Sequence, residues 1–457
     1  MSQSETEPRE VPPGPPGQDD GSGPAAGTAR DRPPLVPLRR NWRFQLLWVG
    51  ATSTTLGVEA ADVAYPLLVL ALTGSPALAG LFGFTQLVVI LLFGLPIGVL
   101  ADRWDHRRVL IGAEAARAVA TASVAVALAM DRLTAVHLLL VAVVLGVGTA
   151  FGGPVRMLLI RAVVPDEQLT QALTQDEVRE GAAGLLGPAV GGALYGVSRV
   201  VPFVACAVTF SVSLLCALFV RVPPRTKEPA VDAGAGAGTE DGAGTEDGEE
   251  RGAATAEESG GAFAGVLELV RQPALRGSLL LVGTFYLVLT AVTLAVVVKL
   301  QAQDTPPGLV GFALTGSAVG MLLGSLLVKR LHGWMAPGRL LLLVSVVAAV
   351  CVTLLAAPFA WWWVFGVLVV ATLTTPALRV LIDIMILRQV PADRRGRTIV
   401  ATMTVLQCGP AAGTLGAGLL LQFAGTTGAI LALGGLQAVV TLVGLADRGV
   451  AAARWPE

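Results

Sequence analysis

Charge is what this 457-residue chain has least of: 14% of its residues are Asp, Glu, Lys or Arg, where soluble domains carry about 25%. The 32 basic and 33 acidic residues leave a net charge of -1, which excludes an overall basic field for nucleic acid. Lysine is rarer still. Lys227, Lys299 and Lys329 are its three occurrences, and they follow Thr226, Val298 and Val328. No Gly-Lys-Ser/Thr phosphate loop can therefore exist, and ATP hydrolysis by that machinery is excluded. His106, His137 and His332 are widely separated, which leaves little for a histidine acid/base site or a metalloenzyme. Cys206, Cys216, Cys351 and Cys408 sit in apolar stretches without Cys-x-x-Cys spacing, so neither a disulfide framework nor a zinc site is expected. With no nucleophile and base motif, the chain does not read as an enzyme. No metal and no cofactor is expected.

Apolar residues fill the gap. They make up 54% of the chain and come in runs of around 20, the length that crosses a bilayer core about 30 Å thick. Candidate helices fall near 43–72, 76–100, 109–130, 135–163, 174–197 and 199–220, then 278–299, 308–330, 339–357, 361–387, 397–423 and 427–446. The expected fold is an all-α polytopic membrane protein, twelve transmembrane helices arranged as two six-helix halves, 41–221 and 263–447. Residues 1–40, rich in Pro, Gly and charge and without an early apolar run, read as a disordered tail, not a signal peptide. Residues 222–262 repeat Gly-Thr-Glu-Asp-Gly at 238–242 and 244–248 and read as a flexible acidic linker. Residues 448–457 form a short second tail.

Arg and Lys collect in cytoplasmic loops. With both tails inside, 26 of the 32 fall on that side, Arg132, Arg199 and Lys299 fall outside, and Arg117, Arg156 and Arg379 lie within spans. The expected location is the cytoplasmic membrane, multi-pass, with both termini cytoplasmic. Trp361, Trp362 and Trp363 then reach the outer interface and Trp42 the inner one, where amphipathic rings are favoured.

The two sets of six share landmarks at nearly constant offset. Gly98 before Asp102-Arg103 matches Gly324 before Lys329-Arg330, Pro165 after Arg161 matches Pro391 after Arg388, and Gly187-Pro188-x-x-Gly191 matches Gly409-Pro410-x-x-Gly413. Duplicated six-helix halves are the architecture of rocking transporters, with the binding site between the halves. Gly98-Val-Leu-Ala-Asp102-Arg103-Trp-Asp-His-Arg107-Arg108 closely resembles the loop signature of the major facilitator superfamily between its second and third helices. Gly184-Leu-Leu-Gly187-Pro188-Ala-Val-Gly191-Gly192 resembles the fifth-helix motif of its proton-coupled exporters. Asn41-Trp-Arg43-Phe44, Tyr65-Pro66-Leu67-Leu68 and Leu72-Thr73-Gly74-Ser75 look like the branch containing siderophore and macrolide exporters.

Several residues carry the expected chemistry. Gly98 lets the second helix approach a neighbour, and Asp102, Arg103, Arg107 and Arg108 can latch the inner ends. The resemblance implies that Asp102 meets the N-terminal end of the eleventh helix near Arg397, where a helix N-terminus attracts carboxylate by about 0.3–1 kcal/mol. The alternative is that the arginines only set topology. Gly184, Gly187, Gly191 and Gly192 with Pro188 make a smooth face, either a gating contact or a static packing seam.

Glu59 and Asp62 are three apart on one helix face, and Glu59 lies about 24 Å along the first span from Arg43 at 1.5 Å per residue. A carboxylate there costs at least about 2.5 kcal/mol unless paired or protonated, which describes a proton carrier. Pairing with a buried arginine, or a solvated outer face, is the alternative.

Arg379 and Asp383 can pair within the tenth helix, and Arg156 occupies the equivalent place on the fourth. Lacking an acid on its own helix, Arg156 is expected to face the cavity or answer Asp176, Glu177 or Glu180. Arg117 with Glu114 reads as an interfacial pair. Gln86, Tyr286 and Gln407 are candidates for hydrogen bonds to cargo in an apolar cavity.

The expected activity is proton-coupled export of a hydrophobic or amphipathic small molecule by alternating access. The proton gradient supplies the energy, and the partners are that small molecule and the lipid bilayer; a monomer is the family expectation. An importer on the same fold, or a non-transporting sensor using the acidic linker, is the alternative.

Overall fold

The computed structural model describes residues 37–101, 104–220, 273–389 and 395–446. Residues 1–36 of the first tail, the linker 222–262 and the second tail 448–457 lie outside these residues. Among the described residues the chain is helix and short connections, without strands.

Local chemistry sets the helix ends. Helix α1, Trp42–Thr73, starts at Asn41, whose side chain accepts the Phe44 N–H at 3.3 Å, and ends at Gly74, left-handed at φ 62, whose N–H returns to Leu70. Helix α2 is Pro76–Ala101. Helix α3, His106–Ala129, begins on Asp105, whose carboxylate accepts the Arg107 and Arg108 N–H groups. Thr134 caps α4, Ala135–Val163, through the His137 N–H at 3.2 Å. Helices α5, Asp166–Val197, and α6, Val201–Phe219, complete the first half. The second half runs α7, Pro273–Ala302; α8, Pro307–Trp334; α9, Pro337–Leu354; α10, Trp361–Thr372; α11, Thr375–Gln389; and α12, Arg395–Ala446.

Three of these helices do not coincide with single crossings. Helices α10 and α11 are parts of one apolar span broken at residues 373–374. Helix α12 holds two crossings, because Gly425 leaves the helical region at φ 69, ψ 177. Gly409 packs on Gly283 of α7 and Gly444 on Leu281, two residues away. Residues 35 positions apart in α12 thus reach the same level of α7, so the chain doubles back at Gly425.

Ten helical segments are long and apolar enough to cross a membrane, with Leu406–Ala446 counted once. Counting its two arms separately gives eleven candidate crossings among the described residues; the 32-residue helix α5 is not among them, so the expected six and six is met in helices and not in apolar spans alone.

The end carrying the 74–75 turn is the outer one in the orientation that the arginines predict. There the halves share one apolar core, from Tyr65, Phe82 and Phe203 to Val296, Leu300 and Leu314. At the opposite end the buried clusters are separate. Phe44, Leu110 and Leu159 belong to the first half, and Leu281, Leu340 and Leu381 to the second. Two crossings join the halves at the outer end. A methyl group on Gly192 of α5 would come within 2.9 Å of the Gly311 Cα on α8, and one on Gly80 of α2 within 2.8 Å of the Gly418 Cα on α12. Ser75 adds a hydroxyl bond to Gln422 Oε1 at 3.0 Å. Among the described residues, the packing between the halves gathers at the outer end.

Candidate functional site

Helix α1 carries the site. Between Thr54 and Val69 most of its positions are buried, and of the accessible ones Thr55, Val58, Glu59, Asp62 and Pro66 recur at helical spacing along one stripe, with Leu56 to its side. Asp62 is exposed and Glu59 half-buried. Gly187 of α5 lies directly on Glu59, where any added Cβ would collide with the Glu59 Cβ, and Gly191 packs equally closely on Ala60. The Glu180 carboxylate bears on Glu59 electrostatically, and Glu59 bears on Asp62.

One turn below, α1 is gripped by buried charge. Glu114 Oε1 of α3 accepts Arg156 Nη2 of α4 at 2.9 Å, Arg117 Nη1 at 3.5 Å and the Thr54 hydroxyl at 3.0 Å. Arg156 Nη2 also reaches Thr54 Oγ1 at 3.2 Å, and Arg117 Nη2 donates to Thr149 Oγ1 at 3.0 Å. Gly148 makes room for Arg117, since a Cβ there would sit 2.5 Å from its Nε. From the other side, Arg179 of α5 donates to Thr55 Oγ1 at 2.6 Å and pairs with Asp176 at 2.8 Å. Glu114, Arg117 and Arg179 are all buried.

This arrangement corrects two expectations. Arg156 answers Glu114 on α3, because α3 and α4 pack side by side; Asp176 is taken by Arg179. The Glu114–Arg117 pair is no interfacial pair, since Glu114 is 0% exposed and Arg117 3%. Arg179, counted with the inner-loop arginines, is instead buried in α5. The Asp176-x-x-Arg179 spacing and the hydroxyls of Thr54 and Thr55 were the available signals for this network.

The remaining expected residues are dispersed. Pro188 and Gly192 meet Gly311 on the other half, while Gly184 has open space before it. Arg107 donates to the Ala217 carbonyl at 3.3 Å and the Leu218 carbonyl at 2.5 Å, the open end of α6. Arg108 pairs with Asp105 at 3.4 Å on the surface. Gly98 lies on α2, and Arg397 in the first turn of α12; Asp102 and Arg103 lie outside the described residues, as do the side chains of Arg397 and Asp383. Arg379 is exposed on α11. Gln86 on α2 and Tyr286 on α7 are half-buried, and Gln407 on α12 is exposed. Lys299, expected at the outer surface, turns inward from the last turn of α7 to bond the Leu355 and Ala357 carbonyls beyond α9. No group of three His, Cys, Asp or Glu suited to a metal occurs among the described residues.

The sequence profile of the Major Facilitator Superfamily matches residues 47–301, more than half of the chain. The chain belongs to the Major Facilitator Superfamily. It is thus a multi-pass membrane transporter and not an enzyme. Like other members of this superfamily, it is similar to solved transporters over most of its length. The nucleoside transporter NupG matches at TM-score 0.69 and 12% identity, over 89% of this chain and 98% of that one. A bacterial homologue of the human lysosomal transporter Spinster, inward-facing and unoccupied, matches at TM-score 0.66 and 16% identity, over 91% and 98%. These likenesses show the fold.

Among curated proteins, macrolide efflux protein A of Streptococcus pyogenes is 28% identical over 189 residues, 40% of this chain and 46% of that protein. Macrolide efflux protein A of Enterococcus faecalis is 31% identical over 144 residues, 31% of this chain and 44% of that protein. The chain spans less than half the length of these relatives.

Proposed function

We propose that this transporter exports a hydrophobic or amphipathic small molecule in exchange for protons. The observation that carries the reading is Asp62, an exposed carboxylate on a membrane-spanning helix whose accessible stripe it shares with Glu59. Such a group is retained in a membrane helix for function, because its cost is otherwise avoidable. The relatives named for macrolide efflux support the outward direction.

In this reading the stripe of α1 faces a cavity that is open at the cytoplasmic end, with both termini on that side of the cytoplasmic membrane. Cargo enters between the parted inner ends, and Gln86, Tyr286 and Gln407 offer it hydrogen bonds. Release outward requires the Gly192–Gly311 and Gly80–Gly418 crossings to part, while Gly98, Asp102 and Arg397 latch the inner end. The working unit is a monomer, energised by the proton gradient alone.

The test is uptake of a panel of lipophilic dyes and antibiotics into inverted vesicles with an acidic lumen. The native chain is compared with Glu59→Gln and Asp62→Asn at matched expression. At least one compound accumulates with the gradient, and one of the two substitutions reduces its uptake to the gradient-free background. Uptake unaffected by both substitutions would remove the carboxylates from the mechanism. Accumulation only in right-side-out vesicles would make the chain an importer.

A further inference from the structure

We propose that Glu114, Arg117 and Arg156 act as one buried unit of net charge +1 that grips α1 at Thr54 and sets, through space, the pH at which the α1 carboxylates release their protons. Glu114 is the positioning residue of that unit. The inference rests on the reading of Glu59 and Asp62 as proton carriers, but it concerns residues that this reading does not use.

Each step follows from the geometry. Glu114 is 0% exposed and holds two guanidiniums through one oxygen, Arg156 at 2.9 Å and Arg117 at 3.5 Å. Its second oxygen and Arg117 Nε are buried without a hydrogen-bond partner among the described residues. One carboxylate against two guanidiniums leaves a single positive charge uncompensated. Arg179 adds nothing to the excess, because Asp176 balances it at 2.8 Å. A network serving only as structural glue would be expected to pair its charges, since an unpaired buried ion costs several kcal/mol.

Thr54 ties this excess to the helix that bears the carriers. Thr54, bonded to both Glu114 and Arg156, is five residues before Glu59 and eight before Asp62, about 7.5 and 12 Å along the helix. At such separations, with an effective dielectric near 20, one unit of charge moves a carboxylate titration by about one pH unit.

The other charged groups around this stretch are few. Helix α5 contributes Asp176, Glu177, Arg179 and Glu180, α3 the pair Glu114 and Arg117, and α4 Arg156. Helix α6 offers only Cys206 near Asp62, and α2 has no charged residue. The described charge of α7 is Lys299 at its far outer end.

The sign of the effect is fixed. Removing the Glu114 charge raises the field to +2 and favours ionised carboxylates, so protons leave at lower pH. Removing the Arg117 charge lowers the field to zero and moves release to higher pH. A merely structural network predicts lost stability in both variants without opposite shifts.

The experiment is an infrared pH titration of the carboxylic acid C=O band in the full chain, purified in detergent. Glu59→Gln and Asp62→Asn assign the band. Its midpoint is expected about one pH unit lower in Glu114→Gln, about one unit higher in Arg117→Gln, and unmoved in Arg117→Lys and Glu114→Asp, which keep the charges. If Arg117→Gln fails to fold, the Glu114→Gln and Glu114→Asp pair carries the same decision.

Midpoints that stay fixed, move in the same direction, or shift equally in the charge-conserving variants overturn the proposal. So does a band that survives both assignment substitutions. Because the titration needs no cargo, the two readings separate. Opposite shifts without gradient-driven uptake by the native chain would leave the network standing and contradict proton-coupled export.

Discussion

Glu114 and Arg108 show how far depth outweighs the number of contacts. Glu114→Ala would leave Arg117 and Arg156 buried without their carboxylate, and breaking a buried pair in this way costs about 3–5 kcal/mol. Arg108→Ala removes an ion pair whose side chains are 86% and 53% exposed, a change worth about 0–1 kcal/mol. Thermal unfolding in one detergent should therefore show a large drop for the first variant and a small one for the second. Equal losses would contradict the burial of the network. The sequence made the Glu114-x-x-Arg117 pair legible, because three residues make one turn. It could not reveal Arg156 as the stronger partner, since that contact depends on how α3 lies against α4. Arg107 shows the same limit: its inner-end position was legible, but the α6 carbonyls it caps lie 110 residues further along the chain.

Helix α5 works on two faces at once. Gly187 and Gly191 press it against α1 within its own half, whereas Pro188 and Gly192 press it against Gly311 of the other half. The glycine spacing was legible as a smooth face, but not which glycines meet α1 and which meet α8, because that depends on how α5 is turned between the halves. The duplication reappears here in three dimensions. Pro76-Ala-Leu-Ala-Gly80 opens α2 as Pro307-Gly-Leu-Val-Gly311 opens α8, and each ends on a glycine of the opposite half, Gly418 or Gly192.

If the outer crossing must part during transport, locking it stops turnover. A Cβ on Gly308 would lie 3.6 Å from the Ala193 Cα, within reach of a short bismethanethiosulfonate that bridges two thiols through a disulfide at each end. The pair Ala193→Cys and Gly308→Cys, made in a Cys408→Ser background because Cys408 is the exposed native thiol, should cross-link with that reagent. Transport should fall to background and return on reduction. Full cross-linking with undiminished transport would contradict a moving outer gate.

At the scale of the whole molecule, one shared core at the outer end and two separate cores at the other gather the contact between the halves at the outer crossings. The apolar runs made the helices legible, and the recurrent landmarks made the halves legible. The span count was legible as well: the pattern gave 174–197 as a span and divided 397–423 from 427–446, on either side of the Gly425 break, whereas hydropathy by itself passes over α5 and runs Leu406–Ala446 together. The conformation itself had no signature in the sequence, because both states of a rocking pair bury the same helix faces against lipid.

The measurement that bears most directly on the account is the lumenal pH of inverted, acid-inside vesicles when a compound they accumulate is added. Exchange predicts a rise in lumenal pH with the native chain, as protons leave while cargo enters. The rise should vanish with whichever of Asp62→Asn and Glu59→Gln abolishes uptake. Accumulation of the compound with no change in lumenal pH would contradict proton exchange as the source of energy.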